Sequence, residues 1–287
     1  MHMYADDTQL YLSFRPENIS TALSTIQQCT TEIREWMTVN HLKLNASKTE
    51  VILCGKPALL RKLDHVKYVH IADDIVAISS SARNIGAIID STLSMREHVN
   101  SVTRACYLKL RQISQIRQYL SQNLTAELVR VLILTKLDYV NSLLYGVNDS
   151  LLHKLQLVQN NAARLVMRAK KRDHVTPILK HLHWLPVQQR VAYKINLLTF
   201  KSLNGLSPAY MQDLVCPYVP TRNLRSASQN LLVAPKTRGV RTGDRAFSSC
   251  APRMWNDLPE SVRMCTTIDS FKKHLKTHLF NVAFEQI

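Results

Sequence analysis

Asp6 and Asp7 stand side by side in the opening segment MHMYADDTQLYLSF. Adjacent carboxylates repel each other unless positive charge lies between them, and a divalent metal ion can supply it. With further carboxylate oxygens, such a pair can hold Mg²⁺ for nucleotidyl transfer, activating a hydroxyl and stabilising the leaving pyrophosphate. The competing reading is a plain turn. Asp tolerates turn geometry and bonds to its own backbone, and a second pair, Asp73-Asp74, also follows an alanine. Spacing alone does not rank one pair over the other.

The surrounding pattern says what must position these residues. Leu10, Leu12 and Phe14 alternate with Gln9, Tyr11 and Ser13, the period of a half-buried strand that Pro16 ends. Ala5-Asp6-Asp7 then becomes the turn of a β-hairpin, with Tyr4 on its first strand. Ile19, Leu23, Ile26, Ile33, Trp36 and Met37 recur at three and four, predicting an amphipathic helix to about residue 40. Strands are predicted over 49–54, 66–71 and 75–80, and a short strand with one glycine over 83–90. The first 95 residues therefore read β-α-β-β-β.

Beyond them the pattern turns helical. Val99, Val102, Cys106, Leu110, Ile113 and Ile116 share one face of a helix over 98–120. Further helices are predicted at 124–145, 150–169, 187–204, 207–215 and 267–281. The stretch 216–265, rich in Pro, Arg and Gly, reads as loops with short strands. The fold class is α+β.

The chain has 287 residues, enough for two or three domains, with 46% hydrophobic and 20% charged residues, which argues for a folded protein. No apolar run approaches the roughly 20 residues needed to span a bilayer, so no membrane partner is expected. No basic-then-apolar leader is visible. Six cysteines without a Cys-x-x-Cys pair suggest an intracellular chain, in nucleus or cytoplasm, with mostly buried free thiols. Cys250, Cys265, His274 and His278 are conceivable zinc ligands. The two cysteines, however, are fifteen residues apart, and core cysteines with surface histidines are the simpler reading.

Charge is unevenly placed. Residues 1–95 hold nine Lys/Arg against ten Asp/Glu, a sum of −1, whereas residues 96–287 hold 28 against 11, a sum of +17. That asymmetry points to a polyanion-binding surface on the later part, with nucleic acid the leading candidate. Arg104, Lys109, Arg111 and Arg117 lie off the apolar stripe of the 98–120 helix. Arg168, Lys170, Lys171 and Arg172 form the densest basic cluster, readable as a phosphate contact, a nuclear import signal or the solvated end of a helix. Arg222, Arg225, Lys236, Arg238, Arg241 and Arg245 form a basic glycine- and proline-bearing stretch that suits RNA contact. Trp184 and Trp255 are expected to anchor the core.

MYADDTQLYLSF resembles the YADD hairpin of reverse transcriptases from non-LTR (LINE-type, jockey-like) retrotransposons. EWMTVNHLKLNASKTEVIL (35–53) is similar to the next palm block of that family. ARNIGAIIDSTLSMREHVNSV (82–102) is similar to its primer-grip hairpin and the lead into the thumb. LDYVNSLLYG, LQLVQNNAARLV, LHWLPVQQRVAYKI, APRMWNDLPESVR and SFKKHLKTHLF resemble, in order, the tail of such frames. The resemblance implies a partial palm over 1–95 (an antiparallel sheet with one helix), a thumb-like helical domain over 96–146, and a basic, mainly helical C-terminal domain over 147–287. It implies Asp6 as the principal metal-binding carboxylate, Asp7 as its neighbour, and Gly86 at the primer-grip turn. Lys48 matches the palm lysine that protonates pyrophosphate, or is a solvated loop lysine.

The pattern departs from the family where a polymerase needs more. A third carboxylate on an upstream strand, a block fitting the incoming nucleotide, and template-holding fingers would all precede residue 1. The expectation is a C-terminal piece of an RNA-directed DNA polymerase, incomplete as a catalyst alone. Mg²⁺ would be the cofactor of the complete enzyme, weakly held or absent here. The piece would bind RNA and DNA through phosphate contacts. The alternative is a co-opted, non-catalytic nucleic-acid-binding or interaction protein.

Overall fold

Short hairpins around one long helix make up the first part of the chain. The computed structural model describes residues 2–220, 229–237 and 243–285, and the chain divides into two units, Met1–His98 and Val99–Ile287. Both helix and sheet are present, as the α+β expectation requires.

In the first unit, β1 (His2–Tyr4) pairs antiparallel with β2 (Asp7–Gln9), Tyr4 opposite Asp7, through the turn Ala5-Asp6. The strand predicted over 8–14 therefore stops at Gln9, and Asp7 lies on a strand rather than in the turn. An alternating pattern makes a strand only where something covers one face. Here every residue of β1 and β2 is exposed, as are Tyr11 and Leu12.

Pro16–Asn18 make one 3₁₀ turn leading into α1 (Ile19–Val39), which ends where His41 turns to φ 58°. β3 (Val51–Ile52) is followed by α2 (Pro57–Lys62), started by a proline whose missing N–H costs nothing in a first turn. Next come β4 (Tyr68–Ile71), β5 (Asp74–Ser79), β6 (Ser81–Asn84) and β7 (Ala87–Asp90). The larger sheet has the order β3-β5-β4, with β3 parallel to β5 and β4 antiparallel to it. It is mixed, not antiparallel as expected. β6 and β7 form a separate hairpin, so 83–90 holds the end of β6, a two-residue turn and β7 rather than one strand. Its central residues Ile85 and Gly86 have φ 43° and 77°, the doubly left-handed turn that matches strand twist.

The core of this unit is thin. Val69 and Ile71 supply the inner face of β4, which packs on α1 near Ala22 and Thr30. Ala72 N donates to Thr30 Oγ1 at 3.3 Å, and Arg34 pairs with Asp73. The apolar stripe of α1 is only half-buried at Ile19, Leu23, Ile26, Ile33 and Met37, and Trp36 is 61% exposed.

Asp90 organises the exit from β7. Its Oδ1 accepts from Thr92 N, Thr92 Oγ1 and Ser94 N at 3.2, 2.6 and 2.9 Å, and its Oδ2 accepts from Met95 N and Ser94 Oγ at 2.7 and 3.1 Å. This buried carboxylate holds the left-handed Leu93 and Met95 just before α3 (Arg96–Ile116).

After a 3₁₀ turn at Arg117–Tyr119, the second unit continues with α4 (Gln122–Val129), a π-helical turn at Arg130–Leu134 and α5 (Thr135–Asp138). Then follow α6 (Asp149–Met167), α7 (Val175–His181), α8 (Val187–Leu203), α9 (Ala209–Gln212), α10 (Phe247–Asn256), α11 (Glu260–Arg263) and α12 (Ile268–Phe284). Side-chain oxygens of Ser121, Asn148 and Thr267 cap α4, α6 and α12.

Phe271 of α12 stacks between Phe200 of α8 and Trp255 of α10, with centroids 4.4 and 5.6 Å away. All three are at most 1% exposed, and truncating any one would cost about 3–5 kcal/mol. Trp184 and Trp255 are both buried, in line with the expectation that they anchor the core. The helix at 247–256 departs from the loops expected there, because Pro252 sits inside it and masks its pattern. α6 packs against both α4 and α8, so the unit is continuous across residue 146.

Candidate nucleic-acid interface

The two acidic pairs take the same local form. Ala5 and Ala72 have φ 53° and 52°, each is followed by one turn aspartate, and the second aspartate begins the next strand opposite Tyr4 or Ile71. The alanine supplies the left-handed residue that a two-residue hairpin needs. Asp6 and Asp7 are exposed, and among the described residues neither carboxylate forms an ion pair. No three His, Cys, Asp or Glu side chains among the described residues converge as metal ligands. The described residues thus offer two adjacent carboxylates and no third, which does not fit a two-Mg²⁺ centre. Lys48 is exposed at the end of a 3₁₀ turn, Ala46–Lys48. Gly86 sits at the β6–β7 turn.

The zinc reading dissolves on the same ground. Cys250 is buried, and burial pushes its thiol to about 11, as it does for Cys106. Cys265 lies 3.7 Å from His274 Nδ1, without a third ligand among the described residues. The thiols are free but not mostly buried, since Cys54 and Cys216 are exposed and Cys29 and Cys265 half-buried.

The basic residues separate into two kinds. Arg117 is 8% exposed, and its Nε, Nη1 and Nη2 donate to the carbonyls of Leu165, Leu120 and Val166 at 2.9, 2.8 and 3.0 Å. It satisfies the C-terminal carbonyls of α6 and cannot reach a phosphate, so it leaves the candidate surface. Arg104, Arg111, Arg168, Lys170, Lys171 and Arg172 are exposed, and Lys109 is half-buried. Among the described residues none of these seven forms an ion pair. Arg168 ends α6 in the left-handed region at φ 53°, and Lys170 N donates to Asp173 Oδ2 at 2.7 Å, so a tight turn gathers the cluster. Arg222, Arg225, Arg238 and Arg241 lie outside the described residues.

Moving the boundary from 95 to 98 adds Arg96, Glu97 and His98, so the sums stay at −1 and +17 for the two units. Cations without acidic partners on a strongly positive unit suit phosphate contact.

Several residues of the quoted motifs make structural hydrogen bonds that the sequence did not announce. Gln156 Oε1 accepts from Val187 N at 2.8 Å, and Gln159 Nε2 donates to Leu185 O at 2.9 Å, tying α6 to the entry of α8. Asn256 exchanges two 2.9 Å hydrogen bonds with the backbone of Leu232. Trp255 Nε1 donates to Asn230 O at 2.7 Å, and Arg263 Nε donates to Gln229 O at 2.9 Å. Their partners are backbone groups distant in sequence, which no local pattern announces. Among the described residues no helix is long and apolar enough to cross a membrane. Compared with family models, with curated proteins and with solved structures, the chain matches none.

Proposed function

We propose that the chain corresponds to the C-terminal portion of a reverse transcriptase of a non-LTR retrotransposon, from the YADD hairpin onward, and that it binds RNA and DNA without completing a polymerase site. The carrying observation is the set of unpaired cations on the +17 unit: Arg104 and Arg111 on α3, and Arg168, Lys170, Lys171 and Arg172 after α6. The ordered motif blocks support the reverse-transcriptase origin. The lack of a third carboxylate beside Asp6 and Asp7 among the described residues supports catalytic incompleteness.

Filter binding across a salt series tests the binding half. Affinity should fall linearly on a log–log plot, and the combined change Lys170→Gln, Lys171→Gln, Arg172→Gln should flatten the slope by roughly two to three on duplex DNA, about 0.9 for each phosphate that is no longer neutralised. A slope that ignores the triple change would remove the cluster from the interface. Primer extension with Mg²⁺ tests the other half, and no product is expected. Extension that Asp6→Asn abolishes would overturn the reading of an incomplete catalyst. A second reading, a non-catalytic nucleic-acid-binding protein, is favoured by the identical form of the two Ala-Asp-Asp hairpins, since one of them has its aspartate engaged by Arg34 as an ordinary structural turn.

A further inference from the structure

Two side-chain bridges join α3 and α6. Lys154 Nζ donates to Asn100 Oδ1 at 2.9 Å, and Asn161 Nδ2 donates to Tyr107 Oη at 3.1 Å. The bridges are seven residues apart on both helices and in the same order, so the helices run in the same direction and the bridges stand about 10 Å apart along them. Between them lies an open groove of about 400 Å³ lined by Asn100, Thr103, Arg104, Tyr107, Lys154 and Leu157. Among the described residues no acidic side chain lines it. Arg104 stands on one wall and Lys154 on the other. Tyr107 and Leu157 expose 39% and 40% of their surface, an aromatic ring beside an aliphatic floor. Thr103 Oγ1 is covered by the protein yet has no hydrogen-bond partner.

From this arrangement we infer that the groove receives one unpaired nucleotide of a single-stranded nucleic acid, its base against the Tyr107 ring and its flanking phosphates on Arg104 and Lys154. A base face can stack on an aromatic ring only when it has left the duplex, and cations flanking such a ring are how single strands are held without sequence choice. The length between the bridges suits one nucleotide rather than a run of them. Asn100 offers a polar partner to sugar or base edges. A duplex would meet only the rim of the groove, through phosphate. The site rests on the nucleic-acid reading above and deepens it.

The test uses the full chain with a 12-nucleotide uridine RNA, a 12-nucleotide thymidine DNA and a duplex of equal length, in filter binding at fixed salt. Tyr107→Ala should weaken at least one single strand roughly tenfold and leave the duplex within about threefold, whereas Tyr107→Phe, which keeps the ring and removes the Asn161 bond, should stay near wild type. Arg104→Gln with Lys154→Gln should flatten the single-strand salt slope by roughly one to one and a half. Ultraviolet cross-linking of wild type to a bromouracil-bearing single strand gives a readout independent of variant folding, with the adduct expected at Tyr107. If wild type binds no nucleic acid, the wider reading fails and takes this site with it. If wild type binds with a normal salt slope but Tyr107→Ala is silent, the duplex suffers equally, or adducts fall only elsewhere, the groove assignment alone is overturned.

Discussion

Arg117 and Asp90 are charged residues whose roles lie inside the fold. Arg117 reads in sequence like its neighbours Arg104 and Arg111, yet its guanidinium caps α6. Asp90 shares the run AIID with two half-buried isoleucines, and its carboxylate accepts five hydrogen bonds. Burial raises its pKa, but the hydrogen bonds from Thr92, Ser94 and Met95 outweigh burial and hold it below the ordinary value. Two residues into α3, His98 Nδ1 accepts from Ile88 N at 3.3 Å, and burial, then nearby Arg83, push its pKa down. Both folded-state values are depressed. Each therefore contributes stability that is full above the unfolded value, about 6.5 for His and 3.9 for Asp, and is lost as pH falls through the folded one. Hydrogen exchange of the residue 88–95 amides should accelerate on acidification below about pH 6.5, after correction for intrinsic rates, and again below about pH 4. Protection that rises over that range would refute the assignment. Asp90→Asn turns one acceptor into a donor facing Met95 N, and should cost about 3 kcal/mol in the protection of the same amides.

At the level of elements, the helix predicted over 124–145 breaks into α4, a π-helical turn, α5 and a 3₁₀ turn at Asn141–Leu144. Apolar periodicity cannot reveal this, because inserting a π turn slides the stripe without erasing it. The break falls at Val140, left-handed at φ 48°, beside the Asp138–Arg190 ion pair that ties α5 to α8. A β-branched residue is strained there, so distant contacts hold the conformation. Gly146 ends the segment at φ 66°, and a Cβ there would come 2.7 Å from Arg245 Cγ. Arg245 Nε and Nη2 donate to Tyr145 O and Leu143 O at 2.9 and 3.1 Å. Gly146→Ala should therefore displace Arg245 as well as strain the backbone, lowering stability by about 2 kcal/mol in thermal unfolding. A drop below about 0.5 kcal/mol would show that Arg245 gives way freely.

Across the whole molecule, burial and charge are divided between the units. The first has small strands, a half-covered helix stripe and exposed Met3, Tyr4, Tyr11, Trp36 and Ile75. The second holds the Phe200, Trp255 and Phe271 stack and the fully covered Leu155, Val158 and Ala162 of α6. Amides in β4 and β5 should exchange at least roughly tenfold faster than those at the centres of α6, α8 and α12. Equal protection would mean that the two units open together. Net charge follows the same division, so the positive charge on which the proposed nucleic-acid contact draws belongs to the better-packed unit.

Sequence alone determined the long helices α1, α3, α6, α8 and α12, the α+β class, the positive second part and the burial of Trp184 and Trp255, because apolar periodicity and charge are local and survive without partners. It also placed Gly86 at a hairpin turn, through the motif order. Only the tertiary structure decided which basic residues are free, since exposure depends on what packs opposite: Arg104 faces a groove, and Arg117 faces the end of another helix. The ends of β2, the parallel pairing of β3 with β5 and the helix containing Pro252 were likewise settled by neighbours far along the chain. Strand pairing and burial are properties of two segments at once, and no single segment encodes its partner.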